Sequence, residues 1–203
     1  MANHYYSSTP ESESNPIYWE YTLKNKTFRF KTDAGVFSKK EVDFGSRLLI
    51  EQFSSPRIEG PLLDVGCGYG PIGLSLAAEF PERLVHMVDV NQRAMALAKD
   101  NAELNRIDNI TIYESDRLEA VVEKQFAAIL TNPPIRAGKK VVMDIFHQSF
   151  QKLANGGQLW VVIQKKQGAP SAIKELELLF GEVETVERSK GYYILKAEKS
   201  LTD

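Results

Sequence analysis

The spacing of apolar residues changes period repeatedly along this chain, and each change marks a predicted element. Residues 1–16 are rich in Ser, Glu, Asn and Pro and show no period, which predicts a flexible arm. Tyr18-Trp19-Glu20-Tyr21-Thr22-Leu23 is followed, across Lys24-Asn25-Lys26, by Thr27-Phe28-Arg29-Phe30, where Phe28 and Phe30 alternate with charge. A period of two broken by a short polar turn predicts a hairpin with one wet face, in an extension spanning 17–38. Asp33-Ala34-Gly35-Val36-Phe37-Ser38 reads as a loop, and Ser38 as the cap of a helix running to about Phe53. That helix would carry Val42, Leu48 and Leu49 roughly on one side.

From residue 61 short apolar runs alternate with helical periods. Pro61 to Val65 reads as a strand entering a glycine cluster, and Pro71 to Phe80 as a helix with proline in its first turn. Arg83 to Val90 is strand-like; Asn91 then caps a helix to about Asn105 with Ala94, Leu97, Ala98 and Leu104 inside. Asn109 to Tyr113 and Phe126 to Leu130 are strands, Lys139 to Leu153 a helix, Asn155-Gly156-Gly157 a turn, and Gln158 to Ile163 a buried strand. Pro170 to Phe180 is the last helix. Val183 to Val186 and Tyr192 to Ala197 follow each other through Ser189-Lys190-Gly191, with no room for a helix between them. The order predicts an α/β domain, its sheet mostly parallel with a terminal antiparallel hairpin.

Composition narrows the class. Of 203 residues, 43% are hydrophobic and 26% charged, an ordinary globular balance. The lone cysteine, Cys67, excludes an internal disulfide and any zinc site built from several cysteines, so no metal is expected. The N-terminus lacks the basic start and apolar core of a signal peptide, and no apolar run approaches the ~20 residues of a membrane span. A cytoplasmic protein with no membrane partner is expected. The net charge of -2 argues against wholesale coating of nucleic acid and leaves a local basic patch open.

Leu63-Asp64-Val65-Gly66-Cys67-Gly68-Tyr69-Gly70 lies where the first strand turns into a helix, and glycine there lets a ligand approach the backbone and free N–H groups. Gly68 to Gly73 is also a literal G-x-G-x-x-G, with Asp89 about 20 positions on, as a dinucleotide site expects. Charge separates the two cofactors. Asp64 would repel a pyrophosphate, whereas S-adenosylmethionine carries no phosphate and presents an ammonium and a sulfonium. Asp89 could accept both ribose hydroxyls of either. A tight turn with no ligand is the bland alternative.

The stretch Asp64 to Gly70 resembles the first motif of class I S-adenosylmethionine-dependent methyltransferases, Asp89 and Val90 resemble the second, and Ser115-Asp116 the third, whose side chain meets the adenine amino group. The resemblance implies a Rossmann-like methyltransferase fold: a mostly parallel seven-stranded sheet, a C-terminal antiparallel hairpin and helices on both faces. It implies S-adenosyl-L-methionine as cofactor, held by Asp64, Gly66, Cys67, Gly68, Gly70, Asp89, Val90, Asp116 and Asn132. Cys67 itself reads as turn packing, not as a nucleophile.

Asn132-Pro133-Pro134-Ile135 directly follows the apolar strand Phe126 to Leu130. Two prolines remove two donors, and the Asn132 side-chain oxygen and the Pro133 carbonyl can both accept from an exocyclic amino group. Its lone pair would then face the methyl sulfonium, and such positioning is the main requirement of methyl transfer. The carboxyl edge of an α/β sheet is where ligands bind. The tetrapeptide resembles the N-P-P-aromatic motif of amino-group methyltransferases acting on adenine, guanine or protein glutamine. It departs from the motif at Ile135, where the stacking ring is missing; Arg136 could stack on a base instead or be a solvated residue.

Asp33 to Ser38, Asp43-Phe44-Gly45-Ser46-Arg47-Leu48-Leu49, Asn132 to Gly138 and Gln164-Lys165-Lys166-Gln167-Gly168-Ala169 resemble the guanine-N2 methyltransferases of small-subunit ribosomal RNA, in their single-domain branch. That implies that Phe37 and Ser38 close over the methionine part of the cofactor, and that ribosomal RNA or a ribosomal subunit precursor is the partner. Arg136, Lys139, Lys140, Lys165 and Lys166 would gather at the carboxyl edge and hold phosphates, if they are more than solubilising charges. The same residues leave two further readings: methylation of adenine or a protein amide, and a non-catalytic RNA-binding domain that keeps the fold.

Overall fold

The computed structural model describes residues 15–34 and 41–200. The predicted arm lies mostly outside them, as do Phe37 and Ser38. A two-stranded sheet comes first, β1 (Ile17–Leu23) and β2 (Lys26–Thr32), joined at Lys24-Asn25 with φ of 45° and 64°. Positive φ at both turn residues matches the twist of a two-residue hairpin. Then follow α1 (Phe44–Gln52), β3 (Leu62–Val65), α2 (Pro71–Glu79), β4 (Val85–Asp89), α3 (Gln92–Leu104), β5 (Ile110–Glu114) and β6 (Phe126–Thr131). The chain ends in α4 (Lys139–Lys152), β7 (Leu153–Gln164), α5 (Ala169–Phe180), β8 (Val183–Ser189) and β9 (Tyr192–Glu198).

Among the described residues the second sheet has seven strands in the order β5-β4-β3-β6-β7-β9-β8, parallel up to β7 and antiparallel at β9. Its central strands are apolar because both faces are covered. Alternate residues serve opposite cores: Leu62, Leu130, Trp160 and Ile194 pack under α1, α2 and α3, while Leu63, Ile129, Val161 and Leu195 pack under α4 and α5. The expected α/β architecture is therefore present, with helices on both faces.

Three local differences have physical causes. Helix α1 begins at Phe44, not after Ser38, because Asp43 caps it: its carboxylate accepts from Gly45 N–H at 3.0 Å and Ser46 N–H at 2.9 Å. Strand β7 begins at Leu153, which pairs with Phe126 before the register shifts at the expected Asn155-Gly156-Gly157 turn. Leu104 is 38% exposed, because it is the last residue of α3 and the chain turns away through Asn105.

The hairpin docks on α3 through two side-chain amides. Asn101 accepts from Lys31 N–H at 2.6 Å and donates to Lys31 O at 3.0 Å; Asn105 does the same for Arg29 at 2.9 and 2.8 Å. Four residues of helix advance about 6 Å and two of strand about 6.7 Å, so the two amides match alternate residues of β2. Asn101, fully buried, also donates to Tyr69 O at 2.9 Å and so ties the hairpin to the glycine loop.

Candidate active site

At the carboxyl end of β3 the chain turns into α2 through three glycines with φ of 77°, 57° and 104° at Gly66, Gly68 and Gly70, a region that costs other residues strain. A side chain at Gly66 or Gly68 would meet nothing within 4 Å, so the backbone there faces open space. At Gly70 it would press on Leu74 and Met87 at 3.0–3.1 Å, and at Gly73 on Met87 at 2.6–2.8 Å. The glycine pattern thus divides: Gly66 and Gly68 leave room for a ligand, while Gly70 and Gly73 let α2 lie close against β4. Gly66 and Cys67 both donate to Val88 O, at 2.9 and 3.0 Å, which pins the loop to β4. Cys67 also accepts from Gly70 N–H through its carbonyl, and its side chain is buried, with the thiol pushed up by desolvation and by the Asp89 and Asp64 charges. It packs the turn, its thiol donating to Gly68 O at 3.6 Å.

Two carboxylates flank this loop. Asp64 is fully buried beneath it. Its Oδ2 accepts from Gly73 N–H at 2.9 Å and so satisfies one of the free donors at the start of α2. Its Oδ1 has no hydrogen-bond partner among the described residues, and burial, opposed by the Gly73 bond and reinforced by Asp89, pushes its pKa up to about 7. Asp89, at the end of β4, accepts from Gly68 N–H and Asn91 N–H, each at 2.8 Å. Desolvation raises its pKa against these bonds and that of half-buried Val90.

Past β5, Ser115 N–H bonds Asp89 O at 3.0 Å. The exposed Asp116 carboxylate is held by Arg117, whose Nε and Nη2 lie 3.1 and 3.0 Å away; Arg117 also reaches Asp144 on α4 at 2.7 Å.

The register of the sheet brings the second motif beside the first. Val65 pairs with Thr131, and Thr131 Oγ1 donates to Val65 O at 3.0 Å, so Gly66 and Asn132 leave the sheet side by side. The Asn132 amide nitrogen donates to Asp43 Oδ2 at 2.8 Å and Ser46 Oγ at 3.0 Å. Its Oδ1 receives no hydrogen bond among the described residues. Pro133 O already accepts from Ile135 N–H two residues on, and Pro134 O from Ala137 N–H in the 3-10 turn of residues 135–137, both at 2.9 Å. The prolines thus turn fewer free carbonyls outward than the bare sequence suggests, although each keeps a second lone pair. Ile135 leans on the core under α4, not free as a platform.

Arg136, Lys139, Lys140, Lys165 and Lys166 are all exposed at this end of the sheet, and none makes an ion pair among the described residues. The structure adds neighbours that the sequence reading passed over. Lys190 and Arg47 lie 4.9 and 5.1 Å from the Phe44 ring centre, and Tyr192 packs 5.4 Å from it. Lys165 N–H bonds Gly191 O at 2.8 Å, joining both basic stretches. Lys190 had looked like a turn residue, and nothing local links it to Phe44.

A family model for the methyltransferase small domain matches residues 27–196. The chain belongs to the methyltransferase small-domain family. It is 61% identical over 200 residues to the Bacillus subtilis protein YbxB, covering 98% of this chain and all of that one. It is 30% identical to the ribosomal RNA large subunit methyltransferase G of Klebsiella pneumoniae, across 95% of this chain and 52% of the relative. Among solved structures, the T. thermophilus 16S rRNA N2 methyltransferase RsmC, in complex with AdoMet and guanosine, superposes with a TM-score of 0.80 at 27% identity, over 94% of this chain and 52% of that one. The chain therefore spans about half the length of the ribosomal RNA methyltransferases it matches. Its own residues fit such a cofactor: an orphaned carboxylate oxygen on Asp64, open space over Gly66 and Gly68, and a second carboxylate at Asp89. No helix among the described residues is long and apolar enough to cross a membrane.

Proposed function

We propose that this chain is an S-adenosylmethionine-dependent methyltransferase acting on an exocyclic amino group, N2 of guanine in small-subunit ribosomal RNA. The observation that carries the reading is the Asn132 amide: its nitrogen is fully engaged by Asp43 and Ser46, and its oxygen is left as an acceptor on the residue that leaves β6 where Gly66 leaves β3. The cofactor supplies an activated methyl group on a sulfonium. Asp89 binds the ribose hydroxyls while its backbone bonds hold the loop. Asp64 adds negative charge under the cationic part of the ligand. Asn132 Oδ1 and the second lone pair of Pro133 O accept from the target amino group and turn its lone pair toward the methyl carbon, so positioning carries the catalysis and no side chain needs to attack. Arg136, Lys139, Lys140, Lys165 and Lys166 hold RNA phosphates around the pocket. Residues 17–203 act as one methyltransferase domain, with 17–38 as its extension.

Single-turnover methylation of small ribosomal subunits, and of RNA extracted from them, taken from a strain lacking the gene, tests this reading. Asn132→Ala should lower the rate by roughly 10²–10³, the usual loss for one positioned hydrogen-bonding group, with cofactor affinity almost unchanged. A variant within about threefold of wild type would remove Asn132 from the chemistry. The half-buried Ile135 favours one second reading, an acceptor that needs no stacking ring, such as a protein amide. Label recovered in ribosomal protein instead of methylguanosine would establish it.

A further inference from the structure

We infer that Asp43 is a positioning residue, which with Ser46 fixes the direction of the Asn132 amide for methyl transfer. The inference rests on the amino-group reading above. An amide has two nearly isosteric orientations, and only one leaves an acceptor at the pocket. Chemistry selects it here. An ionised carboxylate has lone pairs and no proton, so the atom 2.8 Å from Asp43 Oδ2 must be the amide nitrogen. Its other N–H goes to Ser46 Oγ at 3.0 Å. With both donors used, Oδ1 is turned away from α1.

The clamp is itself rigid. Asp43 Oδ1 accepts from Gly45 N–H at 3.0 Å and Oδ2 from Ser46 N–H at 2.9 Å, so the carboxylate cannot swing. Helix α1 is seated by Leu49, Ile50 and Phe53 in the core, and Gly45 lies so close to the sheet that a Cβ there would stand 2.9 Å from Tyr192. A group held on packed elements keeps its geometry better than one held on a loop. Negative charge at the nitrogen end also polarises the amide and strengthens Oδ1 as an acceptor.

The variant Asp43→Ser separates this role from helix capping. Its hydroxyl oxygen can still cap α1, but it is one bond shorter than a carboxylate oxygen and does not reach the Asn132 nitrogen. The single-turnover rate should fall at least tenfold, with the cofactor dissociation constant within about twofold and the melting temperature little moved. Asp43→Asn is the conservative control: Oδ2 accepts from both Ser46 N–H and the Asn132 nitrogen, so an amide oxygen in its place keeps both bonds and should recover most of the rate. A second readout needs no cofactor: in the free protein, Asp43→Ser should shift the Asn132 side-chain NH₂ resonances, which two acceptors hold apart in wild type, and Asp43→Asn should move them less. Should Asp43→Ser fail to fold, Ser46→Ala removes one acceptor while keeping the capping N–H, and should slow transfer severalfold. Asp43→Ser within threefold of wild type, or Asp43→Asn as slow as Asp43→Ser, overturns the inference. If Asn132→Ala is itself near wild type, the amino-group reading fails instead.

Discussion

Asp64→Asn should make the cofactor-free protein more stable and a poorer binder. The carboxyl is buried with one oxygen unpartnered, and its pKa stands at about 7 against an ordinary 3.8. A raised carboxyl pKa means that the folded state holds the proton more tightly than the unfolded one. The stability this brings is complete below the ordinary value and is lost as pH rises through 7. Ionising Asp64 in the folded protein therefore costs about 4 kcal/mol of stability by pH 8. An amide at this position keeps the bond from Gly73 N–H and carries no charge, so it escapes that loss. The stability gap between variant and wild type should widen by roughly 2–3 kcal/mol between about pH 5 and pH 8. Urea unfolding at both pH values measures it. S-adenosylmethionine binding should weaken at least tenfold in the variant, and in wild type should weaken as pH falls below about 7, because the cation needs the ionised form. A gap that does not change with pH would show that Asp64 carries no such charge penalty in the folded protein, and its place under the ligand would lose its electrostatic basis.

Two further outcomes follow from the geometry. Asp89→Ala should lower cofactor affinity at least tenfold by calorimetry, since it removes the ribose acceptor and frees Gly68 N–H from its 2.8 Å bond; an unchanged dissociation constant would take Asp89 out of the site. Asn101→Ala removes three hydrogen bonds, two to Lys31 and one to Tyr69. At ~0.5–1.5 kcal/mol each, it should cost about 2–4 kcal/mol in urea unfolding, and a loss below about 1 kcal/mol would mean that the Asn105 amide and the packing of Phe28 and Phe30 hold the hairpin without it.

The strands were legible because a fully covered sheet leaves a local mark: short runs such as Leu62–Val65 and Phe126–Thr131 are buried at every position, and glycine or proline stands where each run ends. The glycine turn was legible for the same reason, since positive φ demands a residue type. What was not legible is every contact that depends on the chain's return. Asp43 and Asn132 are 89 residues apart, and Asn101 meets Lys31 across 70. No period or spacing encodes such a meeting; only the sheet register and the seating of α1 and α3 produce it. Local signals can also mislead when two residues offer the same chemistry. Ser38 and Asp43 are both good caps, and the apolar pattern from Val42 to Leu49 could not choose between them.

The same limit explains why the site's acids divide as they do. From sequence, Asp64 and Asp89 look alike, each an acid at the end of an apolar strand. In the folded chain α2 starts directly over Asp64, and the N–H of its third residue, Gly73, claims one carboxylate oxygen, which holds the side chain beneath the loop. Asp89 instead meets the N–H groups of Gly68 and Asn91, at the mouth of the loop. One acid therefore lies below the loop and the other at its rim, a division set by where each neighbouring helix begins. Asn132 follows the same logic one strand over: its amide oxygen is left without a donor because Asp43, the cap of α1, and Ser46 take its nitrogen. At three strand ends, the first turn of a helix decides what the side chain has left to offer a ligand.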